Sequence, residues 1–128
     1  MTVMFGGLRI EYDESLLVPR EWTCAQSLWA RELLVDLPAG DVLELCSGAG
    51  HIGLLAAADT GRRLVCVDIN PRAADYASRN ALEAAVMIET RVGRARDVIS
   101  PTERFPMIIA DPPWVSSQST PLFPTDPL

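Results

Sequence analysis

The sequence predicts an α/β fold built on a mostly parallel sheet that is flanked by helices. Short apolar segments alternate with helical segments along the chain, which is typical of βαβ units. Two apolar segments are followed by or end in an acidic residue, Asp111 and Asp68, and a third contains Glu44. The 128 residues, 48% of them hydrophobic, provide one domain and one core. Ligands of parallel sheets bind at the carboxyl ends of the strands, so a site is expected there.

The N-terminal part of the chain predicts a strand and a helix. Residues 8–12 alternate apolar and charged side chains, the period of a half-buried strand, and this strand is expected to pair locally. Thr23 and Gln26 have the spacing of a capping box, and the predicted helix runs from there to about Val35. The residues expected on its buried stripe or in the core are Leu28, Leu33, Leu34, Leu37, Trp22 and Trp29.

The central part of the chain predicts two core strands, each followed by a helix. Residues 42–45 and 64–68 are short and apolar, as expected for parallel strands that are covered on both faces. The helix after the first strand is predicted over 52–59. The second helix has a strong start signal, because Asn70 is a good N-cap and Pro71 suits the first helical position.

The C-terminal part of the chain predicts two more strands. Residues 86–92 are more polar, which places this strand nearer an edge, and residues 107–110 are apolar. A loop with a turn of helix is predicted over 93–104. The segment after Trp114 is rich in Ser, Thr and Pro and is predicted to be loop or disorder. The expected divisions are an N-terminal strand and lead-in (1–22), a ligand-binding core (23–114) and a tail (115–128).

The composition narrows the function classes. A net charge of −6 disfavours nucleic acid, so a protein or a small molecule is the favoured partner. All eleven basic residues are arginine, which excludes a Schiff-base lysine and a Walker-type phosphate loop. Three scattered cysteines and one histidine fit neither a disulfide framework nor a metal site, and no segment has the length of a membrane span. A cytoplasmic protein with reduced thiols is expected.

The stretch from residue 41 to 53 has the clearest ligand-binding pattern. A short strand delivers Glu44 into a loop of small residues, and an alanine-rich helix follows at once. Gly48 and Gly50 lack a Cβ and therefore allow a ligand to approach the backbone closely. The first N–H groups of the following helix have no carbonyl within the helix to pair with. The pattern predicts a ligand cradle.

Two ligand classes fit this cradle. The spacing Gly48-x-Gly50-x-x-Gly53 matches the dinucleotide fingerprint, and Asp68 lies twenty residues after Gly48, where an acid holds ribose hydroxyls. An acid at that place serves any adenosine ligand, however. Glu44 would crowd a pyrophosphate and would attract a cation. A nicotinamide-dependent oxidoreductase therefore stays open as an alternative, as does a non-catalytic cofactor-binding or partner module.

Three motifs in order resemble those of the class I S-adenosylmethionine-dependent methyltransferases. Residues 44–50 are similar to their glycine-rich motif I, 67–70 to the ribose-binding motif II, and 111–114 to motif IV of the amino-methylating branch. Within that branch, Pro19-Arg20-x-x-Thr23 resembles a segment of the release-factor glutamine methyltransferases. The resemblance implies a Rossmann-like fold and methyl transfer from S-adenosyl-L-methionine to a planar amino group, either a protein glutamine amide or an adenine-type amine.

The resemblance also implies a role for each matched position. Gly48 and Gly50 would pass beneath the methionine part of the cofactor, and Glu44 would lie near its amino end. Asp68 would bind the ribose hydroxyls and Ile69 would pack on adenine. The other cofactor-binding positions that it implies are Cys46, Ser47 and, as a substitute contact to the adenine amino group, Asp97.

Motif IV carries the implied chemistry. The Asp111 side chain and the Pro112 carbonyl would accept hydrogen bonds from the substrate NH₂ group, while Trp114, after Pro113, would stack on its π-system. An amide or adenine nitrogen is a poor nucleophile because its lone pair is delocalised. Two acceptors that favour pyramidal geometry supply positioning and electrostatics, so no general base is required.

The sequence departs from the family pattern in three ways. Cys46 occupies the place of the first motif I glycine, and Asp111 is more like the adenine-amino enzymes, since the glutamine enzymes have asparagine there. The family has about seven strands, so the predicted sheet is incomplete on its C-terminal side. An uncovered edge strand invites association, and a homodimer through this edge is one expectation.

Overall fold

The computed structural model describes residues 1–112, and within them it confirms an α/β fold with a parallel four-stranded sheet. A hairpin of β1 (Thr2–Phe5) and β2 (Leu8–Glu11) comes first and is antiparallel. The parallel strands are β3 (Val42–Leu45), β4 (Leu64–Asp68), β5 (Ile88–Val92) and β6 (Met107–Ala110), in the order β5-β4-β3-β6. The helices are α1 (Cys24–Leu34), α2 (His51–Ala57), α3 (Pro71–Ala84) and α4 (Ala95–Val98).

The two faces of the parallel sheet are covered by different helices. Alternate side chains of the strands, such as Val42 and Cys66, join the larger core cluster together with residues of α1, α2 and α3. The intervening side chains Leu43, Val65 and Val67 form a smaller cluster with residues of α4 and the loop after it. Covering on both faces explains why β3 and β4 read as apolar runs in the sequence.

The N-terminal hairpin is joined to the larger core. Phe5 and Ile10 are fully buried there. Asn80 of α3, only 1% exposed, accepts a hydrogen bond from the Glu11 N–H at 2.8 Å and donates to the carbonyls of Glu11 at 3.0 Å and Ala49 at 2.9 Å. The predicted local pairing of residues 8–12 is therefore correct, and its partner is β1.

The capping box predicted at the start of α1 is not formed. Thr23 is the N-cap, but its hydroxyl donates to the Arg20 carbonyl at 2.7 Å and no side chain caps the helix. The capping box needs a threonine oxygen that accepts from the helix, and here a short 3₁₀ turn (Glu21–Thr23) precedes α1 and takes that oxygen.

The predicted buried face of α1 is also wrong in part. Of the four leucines, Leu34 is buried and Leu37 packs against the core, whereas Leu28 and Leu33 are nearly half exposed. Trp22 and Trp29 are 71% and 64% exposed, so they are not core residues. The helix instead packs on α2 through small residues that allow close approach, namely Ser27, whose hydroxyl donates to the Ile52 carbonyl at 2.8 Å, and Ala30.

Arg62 closes the C-terminal end of α1. The last carbonyls of a helix lack intrahelical donors, and a guanidinium can supply several N–H groups at once. The side chain reaches back from the loop before β4 and donates, at 2.8 to 3.0 Å, to the carbonyls of Leu34, Leu37, Pro38 and Gly40. One side chain thus holds both the helix end and the turn that leads into β3.

We expect Arg62→Ala to lower the free energy of unfolding by about 2 kcal/mol, because four carbonyls lose a charged donor and only water can replace it. Arg63→Ala is the matched control. Its ion pair with Asp41 is partly exposed, and such pairs contribute less than about 1 kcal/mol. Urea denaturation of both variants measures the difference, and equal losses would show that Arg62 has no special role.

The edges of the sheet are β5 and β6. The polar strand predicted near an edge is indeed an edge strand. At β6, Ile108 is 60% exposed, although it is in register with the buried Leu43 of β3. Homodimerisation through this edge stays a prediction. Among residues 1–112, no helix combines the length and the apolar character that a membrane crossing requires.

Candidate functional site

The carboxyl ends of three adjacent strands bring the predicted site residues to one edge. β3 lies between β4 and β6 in parallel register, so Asp68, Cys46 and Asp111 follow one another across the sheet in this order. Neighbouring strands are about 4.8 Å apart, which puts the backbones of Asp68 and Asp111 about 10 Å apart with the motif I loop between them. The common edge expected from the sequence is present.

The motif I loop relies on three left-handed residues. The φ angles of Cys46, Gly48 and Gly50 are 54°, 54° and 83°. A Cβ on Gly50 would meet the Ala77 Cβ at 3.1 Å, so this glycine lets the loop pack on α3. A Cβ on Gly48 would have no heavy atom within 4 Å, so this position opens onto free space. The loop therefore has a packed side and an open side, as a cradle needs.

Asp68 ties the loop to β4. Its Oδ2 accepts a hydrogen bond from the Gly48 N–H at 2.9 Å, and its Oδ1 accepts one from the Asn70 N–H at 2.9 Å. The N–H of Ser47, a buried residue, donates to the Val67 carbonyl at 3.2 Å. Asp68, at the end of β4, thus holds the loop in place against the sheet without a ligand.

Cys46 stands in a conformation that glycine adopts more easily. Holding a non-glycine residue at positive φ costs on the order of 1 kcal/mol. We expect Cys46→Gly to raise the free energy of unfolding by up to about 1 kcal/mol, reduced by the greater entropy of glycine in the unfolded chain. Thermal and urea denaturation measure this change. A net loss of stability would contradict this expectation and show that the interactions of Cys46 contribute more than the strain costs.

Glu44 is buried beneath α2, with 2% of its surface exposed. Its Oε1 accepts a hydrogen bond from the Gly53 N–H at 3.2 Å. A Cβ on Gly53 would approach that oxygen to 2.5 Å, so the third glycine of the loop pattern makes room for the acid. The position of Glu44 near the amino end of a cofactor stays a prediction.

Other predicted residues of the site lie along the same edge. Ile69 is 71% exposed and follows β4 directly. Asp97 is exposed in the first turn of α4, which follows β5, and Asp111 and Pro112 are exposed after β6. The remaining motif IV residues, Pro113 and Trp114, and the tail at 115–128 lie outside the described residues.

A clamp beside the ribose motif was not predicted from the sequence. Asp13 accepts from the Ser15 N–H and hydroxyl at 2.8 and 2.6 Å and forms an ion pair with Arg72 of α3. The Ser15 hydroxyl and the Arg72 guanidinium lower the pKa of Asp13 to about 2. The Asn70 side chain donates to the Ser15 carbonyl at 3.1 Å, so the segment after the hairpin is fixed against motif II.

His51, the first residue of α2, contacts the N-terminal hairpin. Its ring packs edge-on against Phe5, with the ring centroids 4.8 Å apart. Burial lowers the pKa of His51 to about 4, so the imidazole is neutral near pH 7. Cys66 is buried and Cys24 contacts the main cluster, so both cysteines pack in the core.

The sequence profile of the methyltransferase small-domain family matches residues 24–123. The chain belongs to this family. The resemblance drawn from the three motifs is thereby confirmed. As a methyltransferase small domain, the chain is 34% identical over 112 residues to the release factor glutamine methyltransferase of Koribacter versatilis, covering 87% of this chain and 40% of that protein.

A second relative of this methyltransferase small domain is the ribosomal protein uL3 glutamine methyltransferase of Bradyrhizobium diazoefficiens, 30% identical over 135 residues, with coverage of 97% of this chain and 42% of the relative. The chain spans about two fifths of the length of both relatives. Among solved structures, the tRNA (uracil-54, C5)-methyltransferase of Pyrococcus abyssi, in complex with S-adenosyl-L-homocysteine, superposes with a TM-score of 0.70 at 22% identity. That match covers 88% of this chain and 28% of the other, and it supports the fold.

Proposed function

We propose that this chain forms the cofactor-binding domain of an S-adenosylmethionine-dependent N-methyltransferase that acts on a planar amino group. The observation that carries the proposal is the meeting of the motif I loop, Asp68 and Asp111 at the ends of three neighbouring strands. Among residues 1–112, no arginine forms an ion pair with Glu44, Asp68 or Asp111. An edge with unpaired acids favours a ligand with positive charge.

The residues present fit the cofactor, which supplies an electrophilic methyl group on a sulfonium sulfur when it is bound. Gly48 leaves room above the loop for the methionine part. Each Asp68 oxygen accepts one backbone N–H and keeps a lone pair for a ribose hydroxyl. Ile69 offers an exposed apolar side chain to adenine, and Asp97 is the proposed partner of the adenine amino group. The backbone of Cys46 and Ser47 completes the proposed cofactor contact.

Motif IV is the proposed substrate site. The Asp111 carboxylate and the Pro112 carbonyl are exposed at the edge and have acceptor capacity for an NH₂ group. Hydrogen bonds to both N–H groups favour a pyramidal nitrogen, in which the lone pair is free for attack, and hold it in line with the methyl group. Pro113 and Trp114 are proposed to complete the site by shaping the turn and stacking on the planar group.

A protein glutamine amide is the acceptor that we propose first. The relatives from K. versatilis and B. diazoefficiens are named as glutamine methyltransferases. The net charge of −6 disfavours a nucleic-acid partner, which places an adenine-type amine second. A protein is thus the proposed partner, and the chain is proposed to act in the cytoplasm. The nicotinamide alternative is not favoured, because the family match is to methyltransferases.

Thermal denaturation with two candidate ligands tests the cofactor. We expect S-adenosylhomocysteine to raise the melting temperature and NAD to leave it unchanged, because a ligand that binds only the folded state stabilises it. Stabilisation by NAD alone would favour the oxidoreductase.

Mass spectrometry of an acceptor tests the reaction. The chain is incubated with S-adenosylmethionine and a purified bacterial release factor, and a methylated glutamine is expected. Asp111→Ala should lose this modification while still binding S-adenosylhomocysteine. Methylation of an adenine-containing oligonucleotide in place of the protein would instead select the second acceptor class.

A further inference from the structure

The surroundings of Glu44 disfavour the ionised form of its carboxyl group. It lies in the middle of β3, hydrogen-bonded strands flank it on both sides, and α2 covers it. The Gly53 N–H is 3.2 Å from its Oε1, and the Cys66 thiol is 3.9 Å from the same oxygen. One backbone N–H and one weak thiol donor are little compensation for a buried carboxylate.

The charged and titratable groups around Glu44 further disfavour its ionised form. Cys66 and Asp68 face it from β4, and Asp111 faces it from the end of β6. From α2 it receives the Gly53 N–H. Within residues 1–112, Glu44 has no ion pair with a cation. Burial first, and then the two aspartates, raise the pKa of Glu44 to about 8, so it is largely neutral near pH 7.

A cationic group bound at this edge would favour the charged form of Glu44 over the neutral form. An ammonium or a sulfonium near Asp68 and Asp111 offsets the negative charges of these two aspartates. It also attracts the negative charge of an ionised Glu44 through the low-dielectric interior. Gly48 leaves open space on the ligand side of the loop, so a cation can approach from there while Glu44 stays beneath α2. A ligand of the same shape without the ammonium or sulfonium would not favour the charged form of Glu44.

We propose that Glu44 senses a cationic group of the ligand: the carboxylic acid is neutral in the ligand-free protein and gives its proton to solvent when an ammonium or a sulfonium occupies the edge. The balanced step is Glu44–COOH going to Glu44–COO⁻ plus H⁺, with the cationic group held at the edge and the proton released to solvent. The inference rests on the proposed function, which supplies the ligand. It makes Glu44 a specificity-determining residue that favours adenosine ligands with an ammonium or sulfonium at the edge over ligands that lack such a group.

Calorimetric titration in two buffers of different ionisation enthalpy measures the proton release directly. At pH 7, S-adenosylhomocysteine, which carries an ammonium, is expected to release between about half and one proton for each ligand bound. The matched ligand 5′-methylthioadenosine shares the adenosine and the thioether but lacks the ammonium, and it should release none. Between pH 6 and 8 the affinity for S-adenosylhomocysteine should rise by up to about tenfold per pH unit and then level off.

Glu44→Gln is the matched variant, because the amide has the shape of the neutral acid and keeps an oxygen for the Gly53 N–H. Its binding of S-adenosylhomocysteine should release no proton and lose the rise with pH. Proton release that persists in Glu44→Gln would overturn the inference, since the proton would come from another group.

The inference and the proposed function fail in different ways. If the unaltered chain binds S-adenosylhomocysteine without proton release and without pH dependence, the inference is wrong and the cofactor site stands. If no binding occurs at any pH from 6 to 9, the proposed function fails and the inference with it. A measurement without ligand gives an independent check: the stability of the natural chain relative to Glu44→Gln should fall as pH rises from about 5 to 8, because the folded natural chain holds a proton on Glu44 that the unfolded chain loses. The comparison with the variant removes the opposite contribution of His51, whose lowered pKa raises stability between about pH 4 and 6.5 in both proteins.

Discussion

Asn80→Ala is expected to lower the free energy of unfolding by about 3 kcal/mol. The side chain is buried and makes three hydrogen bonds that join α3 to the hairpin and to the motif I loop. Truncation leaves the Glu11 N–H and the carbonyls of Glu11 and Ala49 without these partners, and each such group costs about 1–3 kcal/mol when water cannot reach it. Urea denaturation followed by circular dichroism measures the loss.

Arg79→Ala is the control for that change. Arg79 is the preceding residue of α3, but it is exposed, and its contact is with the face of Tyr76 at 5.0 Å. Contacts of this kind at exposed sites contribute about 0.5–1 kcal/mol. A loss for Asn80→Ala no larger than that of Arg79→Ala would mean that the hairpin is not held by the buried amide.

Asp68→Ala is expected to weaken the binding of S-adenosylhomocysteine about 100-fold. Two ribose hydroxyls would lose one charged acceptor, worth about 3 kcal/mol in total. The loop also loses its tether at Gly48, so part of the cost is poorer positioning. Titration calorimetry measures the dissociation constant, and circular dichroism confirms that the variant is folded.

Two further variants separate these contributions. Asp68→Asn keeps an oxygen for a backbone N–H but removes the charge, so an intermediate loss of affinity is expected. Asp75→Ala removes an exposed carboxylate from α3 and should leave the affinity unchanged within about twofold. Equal affinities for Asp68→Ala and Asp75→Ala would show that the acid at the end of β4 does not contact the ligand.

The sequence predicted the central strands and α3 well because their signals are local. The bounds of β3 and β4 are as predicted, since strands covered on both faces are continuous apolar runs. The start of α3 is also as predicted: the Asn70 side chain accepts from the Arg72 N–H at 3.0 Å, and Pro71 takes the first helical position. The shared edge of the acids followed from the alternation of strands and helices alone.

The parts that were missed depend on contacts between distant residues. The rotation of α1 is set by α2, against which Ser27 and Ala30 pack, and the leucine spacing does not contain that information. Asn80 reads as one polar residue on an alanine-rich face until the hairpin is in place. The Asp13 clamp likewise joins residues far apart in the chain, and Arg62 reads as one of two adjacent surface arginines.

Chemical-shift mapping with S-adenosylhomocysteine tests the central claim, that the carboxyl edge of β3, β4 and β6 is the cofactor cradle. In ¹⁵N-labelled protein, the largest changes on titration are expected at the amides of Gly48, Gly50, Asp68 and Ile69, with smaller ones at Asp111. The amides of the opposite end of the sheet, such as Arg63 and Ile88, should not move. Saturable changes centred on that opposite end, or no change at saturating ligand, would contradict the claim.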